Sequence, residues 1–378
     1  MDNSTFQVKT IIVKPASSSC NLHCSYCYNR AAITSRQKSE FMTLATAEKM
    51  ISVLPELSSK RISIIWHGGE PLLRQIGFYR KVMEFQEITK VEHPGYEIQN
   101  SIMTNATLLN DEFIQFFKIY DWHVGVSLDG PEYIHNKYRH DINNEGSFEL
   151  VYNNIKKLKE ARINLGILSV ITNNTSENIT PFDFYTFMAS INNNFDLLPC
   201  WEAVEGEYPN EYVINPTNFL DFIKAVFDIW WEQDNPRIKI RLLNNLVQGA
   251  IKGTPHSCAS NGTCNMFLSI DADGSVYPCG KFAGIQELKM GNINTQQISE
   301  IINNDTSKFY LEVANKKPSK CNDCEWFSYC HNGCTYDRYT GNGEFLELSP
   351  YCQTWAKAYY YVEKRANETL SKMPIIKF

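Results

Sequence analysis

The stretch Cys20-Asn21-Leu22-His23-Cys24-Ser25-Tyr26-Cys27 decides the reading of this 378-residue chain. Its cysteines are spaced C-x3-C-x2-C and follow an apolar run, Thr10–Lys14, that reads as a β-strand. A loop this tight can turn three thiolates toward one centre. A cubic iron–sulfur cluster normally takes four cysteine thiolates. Three would leave one iron open to a small molecule, as a catalytic metal site keeps an open position. A zinc knuckle or a set of disulfide partners would use the same residues.

Downstream of this loop, strand and helix patterns alternate. Residues 43–54 read as a helix with Leu44, Ala47, Met50, Ile51 and Leu54 on one side. Residues 61–66 (RISIIW) are strand-like and run into His67-Gly68-Gly69-Glu70-Pro71. Helix is expected over 72–88, 111–120, 147–162 and 218–231, and strand over 96–103, 122–127, 164–172 and 195–199. Such alternation implies a parallel sheet with right-handed crossovers. In parallel barrels the chemistry lies at the C-terminal ends of the strands. The segments 20–27, 67–71, 104–105 and 127–130 all fall there. Gly68 and Gly69 would let a charged ligand approach the backbone with no Cβ in the way. They would equally suit a plain strand-to-helix turn with Pro71 at the first helical position. Residues 202–216 read as a polar connector that either covers the barrel mouth or lies on the surface.

Composition narrows the class. A content of 43% hydrophobic and 21% charged residues describes a globular protein with a sizeable core, and the length suits two or three domains. The net charge of −6 and the lack of a basic block argue against nucleic acid as a partner. No cationic start leads into an apolar core, and no apolar run is long enough to span a bilayer, so a cytoplasmic protein without membrane association is expected. Twelve cysteines without a secretion signal point to metal or catalysis rather than disulfides. They cluster at 20–27, 258–279 and 321–352, with Cys200 alone and best read as a small buried hydrophobe. In the C-terminal part, 267–270 and 275–278 read as a β-hairpin with an Asp273-Gly274 turn, and Asp271 and Asp273 read as turn residues. Cys258 and Cys264 precede it and Cys279 ends it. Cys321-x2-Cys324-x5-Cys330-x3-Cys334 and Cys352 follow. Eight such cysteines could make two tetrahedral zinc sites.

With both halves in view, the chain resembles the radical S-adenosylmethionine (SAM) superfamily, whose loop is C-x3-C-x-aromatic-C with Tyr26 in the aromatic place. The resemblance implies an α/β fold: a partial (β/α)6 radical SAM barrel over 1–240 and a cysteine-rich SPASM domain over 241–378. It implies that Cys20, Cys24 and Cys27 hold a 4Fe-4S cluster whose open iron chelates SAM. One electron then cleaves the sulfonium to a 5′-deoxyadenosyl radical, which takes a hydrogen atom. Gly68, Gly69 and Glu70 resemble the motif that binds the methionyl amino group. Tyr26, Ser127 and Arg139 match further SAM-side positions. The C-terminal cysteines resemble the SPASM pattern of two auxiliary 4Fe-4S clusters. Cys258, Cys264, Cys279 and Cys334 would hold the first, and Cys321, Cys324, Cys330 and Cys352 the second. Auxiliary clusters can accept the second electron of an oxidation, which redox-inert zinc cannot.

Segments 12–20, 125–135 and 274–279 are most similar to anaerobic sulfatase-maturating enzymes, which oxidise cysteine or serine to formylglycine. Those enzymes use, as base, an aspartate directly after the third cysteine of the first auxiliary set. Gly280 stands there in this chain, so no general base is assigned. A general base contributes roughly 10²–10⁴-fold in rate. His67 and Met103 stand where those enzymes usually carry glutamines near the substrate. The expectation is therefore a maturase of a ribosomally made precursor peptide, forming a C–C cyclophane, ether or thioether crosslink. The alternative is a sulfatase maturase. No N-terminal extension precedes the barrel, so the precursor is expected to be recognised through the barrel and SPASM surfaces or through a separate leader-binding protein, with flavodoxin or ferredoxin as electron donor. Tyr28 either borders the SAM or substrate pocket or simply packs.

Overall fold

Apolar residues at strand and helix spacing fold into the parallel α/β architecture that their alternation implies. The computed structural model describes residues 4–29, 41–201, 211–340 and 343–372. Part of the expected 202–216 connector, residues 202–210, lies outside the described residues. The chain groups into two compact units, each drawn from two separate stretches of sequence. The first is Met1–Ser169 with Thr263–Ala314, and the second is Val170–Gly262 with Asn315–Phe378.

In the first unit, β1 (Thr10–Lys14), β2 (Arg61–Trp66), β3 (Glu97–Thr104), β4 (His123–Ser127) and the start of β5 (Leu165–Ile171) pair in parallel in that order. Ile62, Ile64 and Trp66 are fully buried on one face of β2, while Ser63 and Ile65 are half-buried on the other. Such two-sided burial is what a parallel sheet under helices requires. Trp66 stacks on Trp122 at 6.1 Å, and Tyr79 meets both edge-on at 5.6 Å.

Two helix boundaries differ from the periodicity. The helix expected over 43–54 runs Leu44–Ser52, capped by Thr43, whose hydroxyl accepts from Thr46 N at 3.1 Å. Pro55 cannot continue it, and a separate turn Leu54–Leu57 follows. The helix expected from 72 begins with a 3-10 turn, Pro71–Arg74, and becomes α-helical only over Gln75–Glu92. There Glu70 accepts from Leu72 N and holds the tighter turn.

The hairpin of β8 (Phe267–Asp271) and β9 (Ser275–Tyr277) forms as expected, and β10 (Gly291–Asn292) adds to it. Asp273 accepts from Ser275 N at 2.9 Å and Asp271 from Ala272 N at 2.8 Å, so both make the turn. Periodicity gave no hint of where the hairpin docks. β8 lies parallel to β1, with Thr10 opposite Phe267 and Lys14 opposite Asp271. A central strand with Ile11 and Val13 fully buried needs a ladder partner on each edge, and β8 supplies the second.

In the second unit, β6 (Asn194–Pro199) pairs in parallel with β7 (Lys239–Ile240). The helices Pro216–Gln233, Arg241–Lys252 and Cys352–Lys372 pack together. Tyr361 and Arg365 bond Asp228 from across the helix pair. Among the described residues, no helix is long and apolar enough to cross a membrane. Trp66→Ala should cost about 3–5 kcal/mol in urea unfolding, because it empties the centre of the aromatic stack.

Candidate functional site

The loop that follows β1 carries Cys20, Cys24 and Cys27, and three neighbouring segments grip it. From the end of β2, Gly69 N donates to Ser17 O at 2.9 Å and Glu70 N to Ser19 O at 2.8 Å. Beyond β4, His23 N donates to His140 O at 2.7 Å and Ser25 N to Tyr138 O at 2.9 Å, and Leu22 bridges Asp141. From the end of β3, Asn105 Nδ2 donates to Asn21 Oδ1 at 3.1 Å and lies 3.6 Å from Cys20 Sγ. Asn21 Nδ2 in turn donates to Thr107 Oγ1 at 2.8 Å.

These contacts give the glycines a reason of their own. A Cβ on Gly69 would lie 2.0 Å from Ser19 O, and one on Gly68 would lie 2.6 Å from Ser17 O. Gly68 also has φ +112°, which favours glycine. The cysteine loop itself fills the space that glycine opens. Glu70 is fully buried and accepts from Leu72 N at 2.9 Å, Thr104 Oγ1 at 2.7 Å and Asn105 N at 2.8 Å. Burial pushes its pKa up to about 7, against the pull of those donors and of Arg139. Its carboxyl group therefore ties the end of β2 to the end of β3.

The protein does little to ionise the thiols. Burial pushes Cys20 up to about 12, and the Glu70 charge adds to it, although Cys20 keeps an exposed face beside the dense wall. Cys24 rises to about 11 through burial, with Arg139 pulling it back. Each thiolate would also repel the others. Soft sulfur donors left protonated by their surroundings fit a metal group whose own positive charge displaces their protons. Among the described residues, no three Cys, His, Asp or Glu side chains converge tightly enough to hold a single metal ion.

Several expected residues collect around this loop. Ser127 ends β4, half-buried, with no hydrogen-bond partner among the described residues for its hydroxyl. Arg139 pairs with Asp129 at 2.9 Å, and the Tyr26 hydroxyl donates to the same carboxylate. His67 accepts from Gly68 N at 2.6 Å through Nδ1. Burial and Lys14 lower its pKa to about 4, so the ring is neutral with its proton on Nε2 and serves as a donor, not a base. Lys14 donates to Asn29 Oδ1 at 3.0 Å and sits 5.8 Å over the Tyr28 ring. Tyr28 is pushed up to about 12 by burial first, then by the sulfurs of Cys27 and Cys279. Met103 covers Gly125, where a Cβ would lie 2.3 Å from its sulfur. A Cβ on Gly280 would lie 2.9 Å from Ile12 Cγ2.

The C-terminal cysteines divide between the units. Cys321, Cys324, Cys330 and Cys352 all lie in the second unit and act electrostatically on one another. Cys264 and Cys279 interact within the first unit, while Cys258 and Cys334 belong to the second. Cys200, half-buried at the end of β6, donates its N–H to Ile171 O at 2.9 Å. Sequence reasoning placed 104–105 and 127–130 near the site but assigned no role to Asn105, Asp129, Asn29 or Lys14. For Lys14, Asn105 and Asp129 the signal was their position at strand C-terminal ends; Asn29 carried none, since its partners Lys14 and Gly68 are remote in sequence.

Residues 15–182 match the family described as the radical SAM superfamily, and 258–325 match the iron–sulfur cluster-binding SPASM domain. The cysteine-type anaerobic sulfatase-maturating enzyme of Clostridium novyi (strain NT) is 33% identical over 331 residues, covering 86% of this chain and 87% of that protein. A solved structure of native anSMEcpe with bound AdoMet and Cp18Cys peptide is 28% identical, with a TM-score of 0.85 over 97% of this chain and 100% of that one. Streptococcus suis SuiB bound to its precursor peptide SuiA, at 16% identity and a TM-score of 0.68, covers 93% of this chain and 77% of that one and shares the fold.

Gly69→Ala should lower apoprotein stability by about 2 kcal/mol and reduce iron uptake on anaerobic reconstitution. Asn105→Ala should cost about 1 kcal/mol in urea unfolding while leaving far-UV circular dichroism unchanged.

Proposed function

The chain belongs to the radical SAM superfamily and carries a SPASM domain, and on that premise we propose that it uses SAM to oxidise a side chain of a peptide or protein. Cys20, Cys24 and Cys27 hold the SAM-binding 4Fe-4S cluster. Tyr26, Gly68, Gly69, Glu70, the Ser127 hydroxyl and Arg139 stand on the SAM side. Cys258, Cys264, Cys279 and Cys334 hold a first auxiliary cluster, and Cys321, Cys324, Cys330 and Cys352 a second. When bound, these groups supply a SAM-derived carbon radical that removes a hydrogen atom and an oxidant for the electron that must follow. A peptide substrate is supported by relatives named as sulfatase-maturating enzymes and by the neighbour that holds a Cp18Cys peptide.

Within that class the reading is a peptide maturase that joins two side chains of a ribosomally made precursor. Gly280 carries this choice. It stands where the sulfatase maturases place their aspartate base, and Ile12 Cγ2 lies 2.9 Å from where a side chain there would start. β-Branched isoleucine is stiff at χ1 and yields little room. His67 does not replace the base, since its free nitrogen carries the proton. Ring addition generates an acidic intermediate that sheds its proton readily, so crosslinking tolerates this loss better than aldehyde formation does. A sulfatase maturase with its base elsewhere is the second reading, favoured by the 33% identity to one over most of the chain. An electron donor such as flavodoxin or ferredoxin completes the proposal.

Anaerobic incubation with SAM, reductant and candidate peptides decides between the two. A mass loss of about two hydrogens with no new carbonyl supports crosslinking. Aldehyde on a sulfatase-derived cysteine peptide, trapped by a hydrazide, would reject it. Cys24→Ala should abolish 5′-deoxyadenosine formation. Cys279→Ala should retain part of that cleavage while losing the modified peptide.

A further inference from the structure

The turn that follows β3 closes a circuit of side chains beside Cys20. Asn105 Nδ2 donates to Asn21 Oδ1 at 3.1 Å, Asn21 Nδ2 donates to Thr107 Oγ1 at 2.8 Å, and Thr107 Oγ1 donates back to Asn105 Oδ1 at 2.7 Å. One group outside the circuit fixes its sense. Thr107 N can only donate, and it lies 2.9 Å from Asn105 Oδ1. The amide oxygen therefore faces Thr107, and the amide nitrogen faces Cys20, whose sulfur is 3.6 Å away. An amide nitrogen carries two hydrogens, so one serves Asn21 and the other is left for the sulfur.

The turn itself is strained. Ala106, between Asn105 and Thr107, has φ +60°, in the left-handed region that a non-glycine residue rarely adopts. Ala106 is fully buried, and the buried Asn154 donates to its carbonyl oxygen at 2.8 Å. On the other side, Asn105 N donates to Glu70 Oε2 at 2.8 Å and Ala106 N to Thr104 Oγ1 at 2.9 Å. Strain of this kind persists only where the surroundings over-determine it, and it gathers at functional sites. Here it brings Thr107 N back onto the Asn105 side chain.

We infer that Asn105, oriented by Thr107 and Asn21, is an N–H donor aimed at the Cys20 sulfur that raises the reduction potential of the cluster held by Cys20, Cys24 and Cys27. It is a positioning residue of that cluster. The inference rests on the reading that these cysteines hold a cluster. Reduction spreads negative charge onto the ligating sulfurs, and an N–H aimed at one of them favours the reduced form. Leu22 N lies 3.4 Å from the same sulfur, but it belongs to the cysteine loop and comes with it. Asn105 is supplied by a different strand end, so its N–H is a separate contribution of the fold. The closed circuit polarises its members and strengthens each bond in it. An amide also biases the sulfur without burying a further charge.

The test is an EPR-monitored redox titration of the full chain with its clusters reconstituted. It is run before SAM is added, and the signal is assigned afterwards by its response to SAM. Asn105→Ala should make reduction about fivefold less favourable, a shift of roughly −40 mV at 59 mV per tenfold for a one-electron couple. Asn105→Asp replaces the donor with an oxygen and should shift the potential further in the same direction. Thr107→Val keeps the backbone N–H and should move the potential less than about half as far as Asn105→Ala. In wild-type chain labelled with nitrogen-15 in its asparagine side chains, the reduced cluster should show a nitrogen-15 coupling that Asn105→Ala lacks. An unmoved or raised potential in Asn105→Ala overturns the inference. So does an equal shift in Thr107→Val, which would trace the effect to a loosened turn. Should Asn105→Ala not fold, the wild-type coupling decides, and its absence overturns the inference. A reconstituted wild-type chain with no SAM-responsive cluster overturns the reading beneath it as well.

Discussion

The backbone of Gly69 approaches that of Ser19 so closely that one added methyl group would lie 2.0 Å from the carbonyl oxygen. Two main-chain bonds, Gly69 N to Ser17 O and Glu70 N to Ser19 O, run through this contact and hold the cysteine loop against the end of β2. Glu70 extends the same grip to β3 through Thr104 and Asn105, and Asn105 reaches back to Asn21 beside Cys20. The three cysteines depend on this bracing, because the eight residues 20–27 form no helix or strand and hold few bonds among themselves. A scaffold held through hydrogen bonds to its main chain positions ligands more firmly than side-chain packing alone.

The electrostatics follow from the same enclosure. Walling the loop in raises the pKa values of Cys20 and Cys24, so the protein stores these two as neutral thiols rather than reactive thiolates. Arg139 is the cation placed against that trend, and Asp129 and Tyr26 keep it there. A buried ion pair of this kind is weak evidence for stability, since desolvation of both charges offsets much of their attraction.

Strand β1 connects this loop to the rest of the candidate chemistry. One edge pairs with β2, which carries Gly68 to Glu70, and the other with β8, whose hairpin leads to Cys279. Tyr28, just past Cys27, feels both the Cys27 and the Cys279 sulfurs. The Gly280–Ile12 contact belongs to the same pairing, because Ile12 on β1 faces Ser269 on β8. Gly280 and the apolar wall beside it are therefore parts of one local arrangement.

Much of the fold was legible locally. Strand β2 occupies the span that its alternation implied, and Pro55 and Pro71 shifted helix ends for reasons visible in single residues. The cysteine spacing, the Gly-Gly-Glu-Pro turn and Gly280 were equally plain, because each is a property of neighbours in the chain. What sequence alone determined was the chemistry available: soft sulfur side chains in groups, the first of them after a parallel strand. Tertiary structure decided how those groups are held and biased. The docking of β8 on β1 joins residues some 257 positions apart, and the Tyr26–Asp129–Arg139–Cys24 contact spans up to 115. No local pattern encodes such pairings, since they arise from which strand edges and buried charges are left needing partners once the core has closed.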